Sequence, residues 1–157
     1  MLRITGEESF QRSPEELWCS LSKPEFLCQC FPGVDRIVRA DDRTAAVIVR
    51  PGFSFVRGTL EVTFQFAETH PPSDATIGVL VKGIGSSAEL ETRMYLMPRE
   101  GGTMVTWSAD VRELGGLLKA VSQGLLQAAA QKVANDTWSA IRKRLALVPD
   151  RSPATQA

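Results

Sequence analysis

Histidine occurs once and cysteine three times in the 157 residues. No paired-histidine metal motif can be written around His70 alone. The spacing Cys28-Gln29-Cys30 does not match the C-x2-C spacing common in zinc sites. His70 falls in a predicted loop far in sequence from Cys19, Cys28 and Cys30, so the thiols read as buried or half-buried side chains on short helices, and no metal is expected. An odd cysteine count without an export signal argues against a disulfide framework. Charge of either sign is also lacking in excess: 18 Lys and Arg balance 18 Asp and Glu. A neutral chain with no basic run has no electrostatic reason to seek nucleic acid. No stretch approaches the ~20 apolar residues of a transmembrane helix. The opening MLRITGEESF has no apolar core of signal-peptide length, so the expected compartment is the cytoplasm. There is no serine-centred nucleophile elbow, phosphate loop or dinucleotide fingerprint. No catalytic residue and no cofactor are expected.

What is present is strict patterning. Residues 2–12 read as a first strand. Ser13-Pro14-Glu15-Glu16 is a helix start: Ser13 can accept from the Glu16 amide, and Pro14 stands where a missing N–H costs nothing. A second short helix begins near Lys23-Pro24 and stops at Phe31-Pro32-Gly33. From Val34 to Val111 the period becomes two. Phe64 and Phe66 share one face with Leu60 and Val62. Val79 and Val81 follow, then Leu90, Thr92 and Met94, and then Val105, Trp107 and Ala109. Glu61, Glu89, Glu91 and Asp110 fall on the opposite, wet face. A long helix is expected from about Leu114 to Leu147, about 50 Å if unbroken. Leu114, Leu117, Leu118, Val121, Leu125, Ala129, Val133, Trp138, Ile141 and Leu145 mark its sheet-facing side. Gly115, Gly116 and Gly124 weaken its first half. Strands followed by one long helix give an α+β fold with the helix on one face of an antiparallel sheet. The expected domain is 1–148, followed by a polar tail, 149–157.

Several phrases resemble the carbon monoxide dehydrogenase G-subunit family, within the START-like, birch-pollen-allergen-like helix-grip superfamily. They are Ser13-Pro14-Glu15-Glu16-Leu17-Trp18, Phe31-Pro32-Gly33-Val34, Gly58-Thr59-Leu60-Glu61-Val62, Gly101-Gly102-Thr103 and Ala109-Asp110-Val111. Of these the Pro-Gly-Val phrase is the most specific, and the resemblance spans about residues 2–147. It implies a curved sheet of about seven strands gripping a long C-terminal helix, with a hydrophobic cavity between them. It further implies a quinone-like or lipid-like ligand and a role beside a molybdenum hydroxylase-type enzyme. Relatives with a membrane role carry a longer apolar extension; the short polar tail here implies membrane contact that is at most peripheral, at the inner face of the cell membrane.

Alternation by itself establishes only a covered face, and a fully packed core satisfies it. With the resemblance, the inward rows become an expected cavity lining: Phe64, Phe66, Val79, Leu90, Met94, Trp107, Leu114, Leu117, Leu118, Val121 and Leu125. The turn Phe31, Pro32, Gly33 and the aromatic pair Phe53 and Phe55 are the expected cavity mouth. The function that follows is non-enzymatic binding of a hydrophobic small molecule. The alternative is a polyketide cyclase or aromatase-like enzyme, which would need acid or base groups inside the cavity; Thr92 and Trp107 are the polar-capable inward residues.

Overall fold

The computed structural model describes residues 2–50 and 58–147. Their elements run β1 (Arg3–Phe10), α1 (Pro14–Leu21), α2 (Pro24–Cys30), β2 (Val34–Ala40), β3 (Thr44–Val49), β4 (Leu60–His70), β5 (Asp74–Gly83), β6 (Ser86–Arg99), β7 (Gly102–Gly116), a 3₁₀ turn (Leu117–Ala120) and α3 (Gln123–Ala146). The strands form one antiparallel sheet in the order β1-β7-β6-β5-β4-β3-β2. Strands β2 to β7 are a meander, and β1 closes the far side by pairing with β7. Register shifts mark bulges at Ala67 in β4, between Phe66 and Glu68, and at Arg112 in β7, opposite Glu89 and Leu90 of β6. An extra residue on one strand bends it, and long strands such as β6 and β7 curve in this way. This is the helix-grip fold: α3 lies along one face of the sheet and the two short helices close one end.

Local chemistry explains the front of the chain. The Ser13 side chain accepts from the Glu16 amide at 3.2 Å and Pro14 occupies the first turn of α1. Leu17 and Leu21 on that helix are fully buried. Leu27, Cys28 and Cys30 of α2 join them in a core that includes Val47, Val62, Phe64, Val105, Ile141 and Leu145. Among the described residues no helix is long and apolar enough to cross a membrane. Phe53, Phe55 and the tail 149–157 lie outside the described residues.

The long helix begins later than its pattern suggests. Residues Leu114 to Gly116 continue β7, paired with Ala88, Ser87 and Ser86 of β6. Gly116 then turns the chain at φ +62°, a conformation glycine adopts without a Cβ penalty. Ser122, not a residue near Leu114, caps α3, its side chain accepting from the Leu125 amide at 3.3 Å. The helix has 24 residues, about 36 Å rather than 50 Å. The two glycines are poor helix formers, and the hydrogen-bonding row of β6 offers their amides a better partner than an isolated helical turn would.

The placement of Gly116 sets the sign of a substitution. In a helix, Gly116→Ala would stabilise by about 1 kcal/mol. In the observed turn a Cβ would collide with the Gly85 carbonyl, so the change should destabilise by about 1–3 kcal/mol. Urea unfolding reads the difference directly; a raised midpoint would contradict the strand assignment.

Candidate functional site

The space between the buried sheet face and α3 holds a cavity of about 290 Å³. Small-molecule sites begin at roughly 300 Å³, so it falls just short of the bottom of that range. The floor comes from alternate residues of the central strands, because side chains on a strand reach one face only at every second position. Val62 and Phe64 of β4, Ile77 and Val79 of β5, Leu90, Thr92 and Met94 of β6, and Trp107 and Ala109 of β7 all line it. The roof is the stripe Leu126, Ala129, Ala130, Val133, Ala134 and Thr137 on α3, at the three-and-four spacing of a helix face. Leu114 and Leu118 line the end where β7 passes into the 3₁₀ turn, and Phe31 lines it from the end of α2.

Seven of the expected lining residues therefore border the cavity: Phe64, Val79, Leu90, Met94, Trp107, Leu114 and Leu118. Four do not. Phe66 is buried in the core beyond the cavity. Leu117 is 64% exposed and Leu125 is 44% exposed, and Val121 is half-buried away from the lining. These last three share one cause. Their expected placement takes its phase from a helix starting near Leu114, whereas the 3₁₀ turn breaks that phase and α3 restarts at Ser122. The residue that faces inward is then Leu126, one position after Leu125. Of the α3 lining, Leu126, Ala130, Ala134 and Thr137 are absent from the sequence reading. The i, i+4 repeat of 126, 130 and 134 is the signal that points to them, but alanine marks a buried face only weakly.

At the expected mouth, Phe31 stacks edge-on against Phe64 with ring centroids 5.9 Å apart. Pro32 and Gly33 do not line the cavity. Gly33 has φ +75°, its carbonyl accepts from the Arg50 amide at 2.8 Å, and a Cβ there would strike the Arg50 carbonyl. This turn is a structural clip between β2 and the end of β3.

The described lining contains no ionisable side chain. Its polar groups are the hydroxyls of Thr92 and Thr137 and the indoles of Trp107 and Trp138. Thr137 Oγ1 donates to the Val133 carbonyl at 2.7 Å. The Nε1 of Trp107 is buried and has no hydrogen-bond partner among the described residues. Carboxylates instead gather on the outer face. Glu91 is held below the usual carboxylate range by hydrogen bonding to Arg112 and Arg93, at 2.9 and 3.1 Å. Asp110 pairs with Arg3 at 3.5 Å. His70 is exposed and raised by its contact with Asp74 at 2.8 Å, at the turn between β4 and β5. Among the described residues no group of three or more His, Cys, Asp or Glu could hold a metal ion.

A family model described as the G subunit of carbon monoxide dehydrogenase (CoxG) matches residues 6–146. A search of curated proteins finds no match. Among solved structures, a conserved protein from Geobacillus kaustophilus is 23% identical, with 92% of this chain and 95% of that one covered and a TM-score of 0.82. The AHSA1 protein from Silicibacter pomeroyi is 16% identical over 93% and 99% of the two chains, with a TM-score of 0.67. A protein from Mycobacterium smegmatis is 13% identical over 93% and 92%, also with a TM-score of 0.67. At these identities the structures establish a shared fold.

The thiols differ in a way that chemistry can read. Burial pushes Cys28 and Cys30 up to about 11, and Cys19 is exposed. Only the thiolate alkylates readily. Iodoacetamide at pH 8 should therefore modify Cys19 in the native protein and reach Cys28 and Cys30 only on unfolding. Peptide mass mapping after a timed pulse checks this; early labelling of Cys28 would show that α2 opens.

Proposed function

We propose that this chain, which belongs to the carbon monoxide dehydrogenase G-subunit family, is a non-enzymatic carrier that holds a quinone-like or lipid-like molecule in the cavity under α3. The observation that carries the reading is an apolar cavity walled by sheet and helix, with two hydroxyls and two indoles as its polar lining groups. Apolar walls with few polar groups are how proteins hold hydrophobic ligands. The volume suits a compact ring system or one end of a longer chain. Through this ligand the protein would serve recruitment or maturation of a carbon monoxide dehydrogenase-like molybdenum enzyme, with any membrane contact peripheral and at the inner face. Family membership is what supports that partner.

A cyclase acting in the same cavity would need a positioned acid or base within hydrogen-bond reach of its substrate. The described walls supply none, and the paired carboxylates and arginines sit on the opposite face of the sheet. The carrier reading therefore fits the chemistry of the lining better.

Leu118 tests it. The side chain is half-buried and borders the cavity where β7 gives way to α3. Leu118→Trp should fill open space, lowering the amount of apolar compound recovered by organic extraction and mass spectrometry of the purified protein. The thermal midpoint should move by no more than about 2–4 °C. In a close-packed site the same enlargement would cost about 1–3 kcal/mol. A large fall in melting temperature with unchanged recovery would place Leu118 in the core and sink this assignment.

A further inference from the structure

We propose that the end of the molecule where β5 turns into β6 and β7 passes into the 3₁₀ turn is a lipid-docking face, which sets this end of the cavity against an anionic bilayer through Ile84, Leu117 and Leu125. The proposal rests on the carrier reading above for its purpose. Ile84 is 41% exposed, and Leu117 and Leu125 are exposed as well. The Leu117 amide donates to the Gly85 carbonyl at 3.0 Å, so the hairpin tip and the 3₁₀ turn form one edge. Along that edge apolar side chains alternate between outside and inside. Leu117 faces solvent and Leu118 lines the cavity; Leu125 faces solvent and Leu126 lines the cavity. Apolar surface is therefore continuous from the interior to the outside at this end.

Ile84 is also strained. It has φ +55° and Gly85 has φ +66°, between a strand that ends at Gly83 and one that begins at Ser86. A two-residue hairpin loop with both central residues left-handed favours Asn-Gly or Asp-Gly. Among the described residues Ile84 is the one non-glycine residue at positive φ, and a β-branched side chain takes that conformation only at a cost. Burial could offset the cost, but the side chain stays largely in solvent. It reaches over Gly58, where a Cβ would lie 3.4 Å from its Cδ1. Asparagine would hold the same turn with less strain and a better affinity for water. The fold gives no reason for isoleucine at this tip; an apolar environment outside the protein does.

The charges at this edge select the occupant. From Leu114 to Gln131 the chain carries one charged residue, Lys119, and from Gly83 to Ala88 it carries none. Lys82 and Lys119 are exposed, and Glu61 lies across from Lys82. The next acids, Glu89 and Glu113, face each other three rungs behind the end pair Ser86↔Gly116. That is about 10 Å at the rise of a strand, a distance over which salt screens exposed charges. The edge is thus apolar and weakly positive. A protein partner would be gripped by aromatic and arginine anchors, and Ile84, Leu117 and Leu125 are aliphatic. Aliphatic tips beside lysines at headgroup level suit a bilayer with anionic lipid. The bilayer is also where an apolar cargo dissolves. Three side chains insert only shallowly, so the contact is reversible.

The test sediments the full chain with sucrose-loaded vesicles of phosphatidylcholine, and of phosphatidylcholine mixed equally with phosphatidylglycerol. Wild type should partition about fivefold more strongly to the anionic vesicles, the effect of about one net positive charge. The triple variant Ile84→Asn, Leu117→Ser, Leu125→Ser should lose about tenfold or more of that partitioning. Val38→Ser with Met97→Ser, exposed apolar residues elsewhere on the sheet, should stay within about twofold of wild type. Ile84→Asn alone should bind vesicles more weakly and melt at a higher temperature, because asparagine tolerates the left-handed turn; a lower melting temperature would make Ile84 a packing residue and remove it from the face. Unchanged partitioning of the triple variant, or no partitioning of wild type, would overturn the docking face. Equal partitioning of wild type to both vesicles would overturn its preference for anionic lipid. A concentration-dependent dimer that the triple variant abolishes would give this edge to a second copy and overturn the lipid assignment. Organic extraction of the wild-type sample separates the two readings: compound recovered without vesicle binding removes the docking face alone, and vesicle binding without recoverable compound removes the carrier alone. Should the triple variant fold poorly, Leu117→Ser, at the most exposed of the three positions, decides by the same measurement.

Discussion

Trp138, Ile141 and Leu145 fasten the last turns of α3 to the rest of the molecule, and the remainder of the site depends on that attachment. Ile141 and Leu145 are nearly fully buried, each contributing roughly 1.5–3 kcal/mol by the usual transfer scale. Trp138 stacks against Phe10 at 6.1 Å. Arg142 lies 4.3 Å over the Phe10 ring, donates to the Ser9 carbonyl at 2.8 Å and reaches Glu8 at 3.1 Å. Arg144 donates to Gln29 at 3.2 Å. The exposed ionic contacts add little energy individually, but they fix the rotation of the helix about its axis, and the apolar anchors fix its height.

The other half of α3 has no comparable anchors. From Leu126 to Ala134 its inner face is mostly alanine and valine, with half-buried side chains that meet open space. Side chains this short cannot reach the sheet at the spacing that Trp138 and Ile141 impose. The cavity is the consequence: large residues hold the helix at one end, and small residues fail to fill the gap at the other. The sheet sharpens the contrast by sending its charged side chains outward. Glu91, Arg93 and Arg112 neutralise one another on the wet face, so the described inner face of the sheet carries the Trp107 indole and the Thr92 hydroxyl as its polar side chains at the cavity.

Much of this is legible in the residues. The period of two from Leu60 to Val111 places Phe64, Val79, Leu90, Met94 and Trp107 on one face, because strand side chains alternate irrespective of what covers them. The Ser13 to Glu16 spacing marks α1 for an equally local reason. The start of α3 is not legible. Leu114-Gly115-Gly116-Leu117 supports either a weak helix or the end of a strand, and the outcome rests on pairing with Ser86 to Ala88, nearly thirty residues earlier in the chain. The misplacement of Leu117, Val121 and Leu125 on the cavity follows from that one boundary.

The order of residues along the chain sets which side chains turn inward on the sheet, where the first helix begins, and that the inner face is apolar. These are properties of neighbouring residues and short periods. The packing of distant segments sets the rest: that the covered face encloses a void, that Gly33 clips a turn, and that the Trp107 N–H finds no acceptor among the described residues. Each of these depends on distances between segments far apart in the chain. An alanine in a pattern reads alike whether a neighbour packs against it or stands several ångströms away.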